Sequence, residues 1–203
     1  MGAHRRKTME LTSKRAQTKA ANRTAILDAA RRVFSEIGYD AATVRDIVRE
    51  TDLAAGTFYN YFPDKESVLH ALLDEAATEI RSRVRAARKS STTLEQFVEG
   101  SFRAYYGYLV EDPQTFELLR RNAGTVRSLF DEPTVGAGAE ELREDLAAGI
   151  RSGLVPDHDV EYMAAAMVGA GFEVAVRMVE RDPPDLDGAV AFVTGIFLAG
   201  LSS

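Results

Sequence analysis

The stretch that decides the fold is Thr43-Val44-Arg45-Asp46-Ile47-Val48-Arg49-Glu50-Thr51-Asp52-Leu53-Ala54-Ala55-Gly56-Thr57-Phe58-Tyr59-Asn60-Tyr61-Phe62. Thr43 can cap a helix while Asp46, three residues on, returns the bond, which is the spacing of a capping box. That helix would bury Val44, Ile47 and Val48. Asp52-Leu53 predicts a tight turn, because Asp tolerates the left-handed backbone better than most residues. A second short helix is then expected from Ala54 to Asn60. Two short helices joined by a turn of three or four residues form a helix-turn-helix, whose second helix enters the major groove of DNA.

The composition of that second helix is consistent with such a role. Ala54, Ala55 and Gly56 leave the backbone free to approach a phosphate or a groove floor. Thr57, Tyr59, Asn60 and Tyr61 supply hydroxyl and amide groups for phosphates and base edges. Phe58 and Phe62, four residues apart, are expected to face inward onto Ile47 and Leu69. So short a helix does not persist in water without such packing. An aromatic run more often marks a core than a site. Here three of the four residues after Phe58 carry polar tips that a core would have to satisfy.

Outward from this stretch the chain reads as helical. Ile26, Ala29, Val33, Phe34 and Ile37 recur at helical spacing, and Gly38 suits a left-handed C-terminal cap. Pro63-Asp64 should start a long fourth helix with Val68, Leu69, Leu72, Leu73, Ala76, Ile80 and Val84 on one side. Further helices are predicted over 93–111, 113–129, 138–152, 158–181 and 186–201, separated by Pro- and Gly-containing punctuation. The fold class is all-α: an N-terminal three-helix domain with a helix-turn-helix, then a larger helical domain. Boundaries fall at a basic, flexible arm over 1–21, the DNA-binding unit over 22–68 and the remainder over 69–203.

Charge divides the chain the same way. Of the 203 residues, 1–90 carry a net +5 and 91–203 a net −11. A basic first part on an acidic body fits a polyanion-binding module joined to a part with another task. A solvated basic tail on an ordinary acidic protein fits charge alone equally well. With no cysteine, disulfide scaffolds, Cys zinc sites and Cys nucleophiles are excluded. His4, His70 and His158 stand apart, so no metal site or cofactor is expected. No nucleophile elbow or phosphate-cradling glycine loop points to an enzyme. The longest nearly uninterrupted apolar run, Val190–Leu201, falls short of the ~20 residues of a membrane span. No secretory signal is visible, and a cytoplasmic protein is the expectation.

Residues from about Asn22 to Leu72 resemble the DNA-binding domain of the TetR family of transcriptional regulators. The resemblance is carried by Ile26-Leu27-Asp28-Ala29-Ala30 with Phe34 and Gly38-Tyr39, by Thr43-Val44-Arg45-Asp46-Ile47, and above all by Gly56-Thr57-Phe58-Tyr59-Asn60-Tyr61-Phe62-Pro63-Asp64-Lys65-Glu66-Ser67-Val68-Leu69. It covers about a quarter of the chain. Where the family usually has Ala-Gly in the turn and Ser or Thr opening the recognition helix, this chain has Thr51-Asp52 and Ala54. The resemblance implies that Thr43 and Arg45 approach one DNA backbone. It implies further contacts from Ala55, Gly56, Thr57, Tyr59, Asn60 and Tyr61, and a phosphate contact from Lys65. The partner it implies is a palindromic double-stranded operator, bound by a homodimer formed through the last two helices. The basic residues from Arg5 to Arg23 resemble arms that some members lay in the minor groove.

The acidic part is expected to sense a small molecule. Six of the 17 aromatic residues fall within 97–116. Phe97, Phe102, Tyr105, Tyr106 and Phe116 are candidates, with Met163, Met167 and Phe172, to line a cavity for an apolar or aromatic effector. Glu117, Arg120, Glu173 and Arg177 are candidate polar anchors, and plain core packing is the competing role for each aromatic. The helices over 158–181 and 186–201 are apolar round most of their circumference, as helices buried on several sides are. A ligand-released repressor is the leading expectation. A helical interaction protein that kept the fold but lost DNA binding is the alternative, supported by Asp52 and Ala54.

Overall fold

The computed structural model describes the backbone of residues 2–128 and 133–201, and the side chains of 14–128 and 136–201. Among the described residues there are helices and turns and no strand. The chain divides into two compact units at Leu72/Leu73, where the sequence placed the boundary at 68/69.

The first unit holds α1 (Gly2–Ile37), α2 (Val44–Arg49), α3 (Ala55–Phe58) and the start of α4 (Lys65–Lys89). α1 continues back to Gly2, through the basic segment expected as a flexible arm. It stops at Gly38, whose φ of 83° is the left-handed cap that glycine adopts without a Cβ penalty. The core is built from the apolar face of α1 and the inward residues of the other helices: Ile26, Phe34, Ile47, Phe58, Val68 and Leu69 are almost wholly buried. Each such side chain contributes about 1.5–3 kcal/mol of transfer free energy.

α2 starts as its sequence predicts. Asp46 N–H donates to Thr43 Oγ1 at 3.3 Å, and Thr43 N–H donates to Asp46 Oδ2 at 2.9 Å, completing the capping box. The turn after it differs from expectation. No non-glycine residue among those described has a positive φ, so Asp52 is not left-handed. Thr51 makes the turn instead: its hydroxyl donates to the Val48 carbonyl at 2.8 Å and accepts from Leu53 N–H at 3.2 Å. α3 is also shorter than predicted, and residues 59–61 continue it as turn rather than helix.

The second unit holds the rest of α4 with α5 (Leu94–Glu111), α6 (Pro113–Arg121), α7 (Ala123–Ser128), α8 (Pro133–Ser152), α9 (Val160–Val179) and α10 (Leu186–Leu201). Thr93, Asp112 and Asp159 cap α5, α6 and α9 through side-chain oxygens. The helix predicted over 113–129 is broken at Asn122, whose buried side-chain amide donates to the Leu118 carbonyl at 2.7 Å and closes α6. The core runs along α5, α9 and α10, where Phe102 stacks on Phe197 with ring centroids 5.7 Å apart. α9 is long and apolar enough to cross a membrane by length and composition alone, though it carries scattered charges. Ala164, Met167, Gly171, Ala175 and Met178 of α9 are buried inside this unit.

Candidate functional site

In the first unit, the residues singled out from sequence separate into an outer row and the groups that hold it. Phe58 is fully buried and its ring meets those of Tyr59 and Phe62 at 5.3 and 6.2 Å. With Phe58 fixed, α3 and the turn after it present Ala55, Gly56, Tyr59 and Asn60 to solvent, with Tyr59 59% exposed. An added Cβ at Gly56 would meet no heavy atom within 4 Å, so the glycine leaves open surface rather than relieving an internal clash. Thr57 and Tyr61 are half-buried. Ala54 offers no side-chain cap to α3. At the start of α2, Thr43 and Arg45 are exposed. Thr43 is committed to Asp46, and its hydrogen bonds hold the Asp46 carboxyl below the ordinary aspartate range.

Lys65 is placed differently from its expected role. Its ammonium donates to the carbonyls of Tyr39 at 2.8 Å, Ala42 at 2.9 Å and Asp40 at 3.4 Å, and lies 4.4 Å from the Tyr39 ring centroid. An ammonium has three donors, and here all three point at the loop between α1 and α2. Lys65 therefore ties α4 to that loop. Beside it, Asp64 caps α4 by accepting from Ser67 N–H at 2.8 Å. Sequence spacing could not separate these lysine roles, because the carbonyls lie more than twenty positions upstream.

The aromatic run is tied to α1 as well. Asn22 donates its side-chain amide to Tyr61 Oη at 3.1 Å, and the Arg23 guanidinium sits 5.6 Å over the Phe62 ring. Tyr61 is thus positioned by a residue 39 places earlier, a pairing no local pattern announces.

In the second unit a cavity of about 360 Å³ opens between the helices. Of the residues proposed from sequence, Phe102, Tyr105, Met167, Phe172 and Glu173 line it. Phe97, Tyr106 and Phe116 are instead core residues, and Met163 packs against that core from outside the cavity. Burial pushes both the Tyr105 and the Tyr106 phenol above the usual tyrosine range. Glu117 and Arg120 pair with each other, as Arg177 does with Glu180, so these candidate anchors are engaged at the surface. What the aromatic count missed is the wall given by α4: Leu73, Ala76, Ile80 and Val84 line the cavity, with Arg81 and Arg88 beside them. Those four residues were visible as an apolar stripe. Arg88 is tied to Ser101 at 3.1 Å and to Asp145 at 3.0 Å. Among the described residues no cluster of His, Asp and Glu could hold a metal.

α10 has one further property. Beyond Asp187 and Gly188 at its start, its outward positions are Ala191, Phe192, Gly195, Ile196, Ala199 and Gly200, an uncharged stretch with Phe192 60% and Ile196 51% exposed.

Residues 26–72 match the family described as bacterial regulatory proteins, tetR family. The HTH-type transcriptional repressor Rv1474c of Mycobacterium tuberculosis is 30% identical over 129 residues, 64% of this chain and 62% of that protein. The chain thus aligns with less than two thirds of that relative's length. The fatty acid degradation regulator FadR of Bacillus halodurans superposes with a TM-score of 0.75 at 26% identity, over 86% of this chain and 93% of that one. FadR of Bacillus subtilis, solved in complex with stearoyl-CoA, has the same fold (TM-score 0.71, 23% identity, 87% and 98% covered).

Proposed function

This chain belongs to the TetR family of bacterial regulatory proteins, and from that premise we propose that it is a homodimeric repressor that binds a palindromic operator and is released by a small apolar effector. The observation that carries the DNA-binding reading is the outer row Gly56, Tyr59 and Asn60, held in the open by the fully buried Phe58. All three are exposed, although the Tyr59 ring also edges onto Phe58. Thr57 and Arg45 flank them, and the role of Lys65 is to position the loop behind them rather than to hold a phosphate.

The uncharged outer stretch of α10 from Ala191 to Gly200 supports the dimer. Exposed Phe192 and Ile196 beside small Gly195 and Ala199 suit close packing of one helix on a second copy. A two-fold dimer presents two recognition elements to two half-sites, hence the palindrome.

The apolar cavity supports an effector, with Phe102, Tyr105, Met167 and Phe172 against the α4 wall. The Bacillus subtilis relative was solved with stearoyl-CoA, so a fatty-acyl chain is the first effector class to try. Release requires that the effector prefer the DNA-incompetent state; a preference of ~10⁴-fold nearly completes the switch. The test is to titrate an operator complex with acyl thioesters of increasing chain length. Release that grows with chain length supports the reading, and indifference to every chain length contradicts the acyl assignment.

A further inference from the structure

We infer that Tyr105 selects the polar end of the effector: its phenol O–H donates to a neutral carbonyl oxygen, that of an ester, thioester or ketone, on a ligand whose alkyl part fills the rest of the cavity. The inference rests on the effector reading above and deepens it, naming the group that is recognised and the residue that recognises it.

Most polar groups along the cavity are already engaged. Arg88 donates to Ser101 Oγ at 3.1 Å and to Asp145 at 3.0 Å, and its guanidinium lies 5.4 Å over the Phe97 ring. The Ser101 hydroxyl is used twice, since it also donates to the Phe97 carbonyl at 2.7 Å. Glu141 accepts from Arg85 and lies 3.7 Å from Arg81. Arg127 and Glu173 are exposed to water. Tyr105 differs from all of these. It lines the same cavity and is partly buried, and its hydroxyl has no hydrogen bond among the described residues. A withdrawn polar group of this kind calls for a partner.

The ring that carries the hydroxyl is held in place. An added Cβ at Gly171 would come within 3.0 Å of Phe102 Cε1 and 3.9 Å of Tyr105 Cε1, so the bare glycine lets both rings lie on α9. The Tyr106 ring lies 5.5 Å from that of Tyr105, centroid to centroid. A donor fixed before its ligand arrives loses little further freedom on binding. The Tyr106 hydroxyl also lacks a hydrogen bond among the described residues, but that residue is fully buried and lies outside the cavity lining.

The chemistry of the phenol decides what it takes. It donates one proton and accepts through its oxygen. A ligand offering only a donor would bond to that oxygen and leave the phenol proton stranded, which is costly in an apolar setting. An oxygen with lone pairs satisfies it. Charge then separates a carbonyl from a carboxylate. Burial raises the Tyr105 phenol above the usual tyrosine range, and no charged side chain contributes to that rise. A carboxylate seated there would have no cation to offset its own desolvation. Beyond the phenol, Ile80, Val84, Leu142 and Met167 offer carbon and sulfur surface to an alkyl chain. At ~30 Å³ for each water-sized group, the 360 Å³ cavity holds about twelve such groups. A ten-carbon acyl chain with its carbonyl oxygen and sulfur has that size.

The test is calorimetric titration of the full chain with three probes of matched length. They are S-ethyl thiodecanoate, decyl ethyl sulfide, in which the carbonyl becomes a methylene, and ionised decanoate. Compared are the wild type, Tyr105→Phe and Tyr106→Phe. Wild type should prefer the thioester to the sulfide by about 3–10-fold, the net worth of one neutral hydrogen bond. It should bind decanoate more weakly than the thioester, by about tenfold or more. Tyr105→Phe should lose the preference for the thioester while binding the sulfide at least as well as wild type does, because no hydroxyl is left stranded. A tyrosine that merely shaped the cavity would weaken both ligands together, and that outcome overturns the inference. So does a preference that survives in Tyr105→Phe, or one that vanishes equally in Tyr106→Phe; in either case thioester binding by the wild type keeps the effector reading standing. Tighter binding of decanoate than of the thioester overturns the choice of a neutral carbonyl. A wild type that takes up none of the three overturns the acyl reading and this inference with it. Thermal melts of both Phe variants should be no lower than wild type, since each keeps its ring.

Discussion

Lys65 Nζ lies 2.8 Å from the carbonyl oxygen of Tyr39 and 4.4 Å from the centroid of the same residue's ring. One ammonium thus holds both the backbone and the side chain of the loop that leads into α2. A lysine at the start of a helix beside a recognition element invites assignment to a phosphate, yet this one is occupied. Lys65→Met should therefore lower stability by about 1–3 kcal/mol, the range for losing hydrogen bonds from a charged donor to partly buried carbonyls. The salt slope of DNA binding should be unchanged below the melting temperature. Thermal unfolding followed by helicity, with DNA titrations at two salt concentrations, measures both. A normal melt with a slope reduced by about one would instead make Lys65 a phosphate ligand.

Phe58 and Tyr59 are neighbours with opposite fates, one fully buried and one 59% exposed. Phe58→Ala should cost about 3–5 kcal/mol through the cavity it leaves, unfolding the first unit under mild denaturant. Tyr59→Ala should leave unfolding unchanged and weaken operator binding by about 1–3 kcal/mol. Paired denaturant and DNA titrations separate the two.

How much of this was legible beforehand varied with the range of the interaction involved. Thr43 with Asp46, and Gly38, were readable because a cap and its partner lie within a few residues. The break at Asn122 was not, since it depends on a buried amide competing for the Leu118 carbonyl inside an apolar helical pattern. Likewise the partners of Lys65 and Tyr61 lie 23–39 positions upstream. In the second unit, sequence supplied Phe102, Tyr105, Met167 and Phe172 as candidates. It also showed the α4 stripe, but not that part of it faces a void, because packing across helices decides that.

The capping box predicts an acid dependence. Asp46 is held below its ordinary value of 3.8, first by the Thr43 side chain and then by the Thr43 backbone. A carboxyl lowered in the folded state stabilises above its unfolded value, and that stability is lost as pH falls through the lowered folded value. The start of α2 should therefore loosen only below about pH 4. Thr43→Ala should cost about 1 kcal/mol at neutral pH and flatten this acid response. Hydrogen exchange of the α2 amides against pH would show it, and an acid response identical in Thr43→Ala would rule the box out as its source.

Gly169 lines the cavity, and an added Cβ there meets no heavy atom within 4 Å. Gly169→Leu should fill part of the cavity and raise helix propensity by up to about 1 kcal/mol. Dimer mass and operator affinity should be kept while effector release is weakened at least tenfold. Release at wild-type effector concentrations would place the ligand elsewhere.

The outer face of α10 predicts that Phe192→Glu/Ile196→Glu converts the dimer to a monomer with unchanged helicity, because two exposed apolar side chains become charges facing their own copies. Light scattering against concentration reads this directly. Each subunit would then hold one half-site, and operator affinity should fall by at least a hundredfold. A double variant that stays dimeric would move the interface off α10.

The central claim is that the surface built on Phe58 reads DNA, and fluorescence anisotropy of the labelled gene-flanking duplex, with scrambled competitor and a salt series, tests it most directly. The account predicts tight, competitor-resistant binding by the wild type that weakens steeply with salt, and loss of the sequence preference in Tyr59→Ala/Asn60→Ala. Equal affinity for flanking and scrambled DNA across a scan of the whole neighbouring sequence, unaltered by that double substitution, would contradict it.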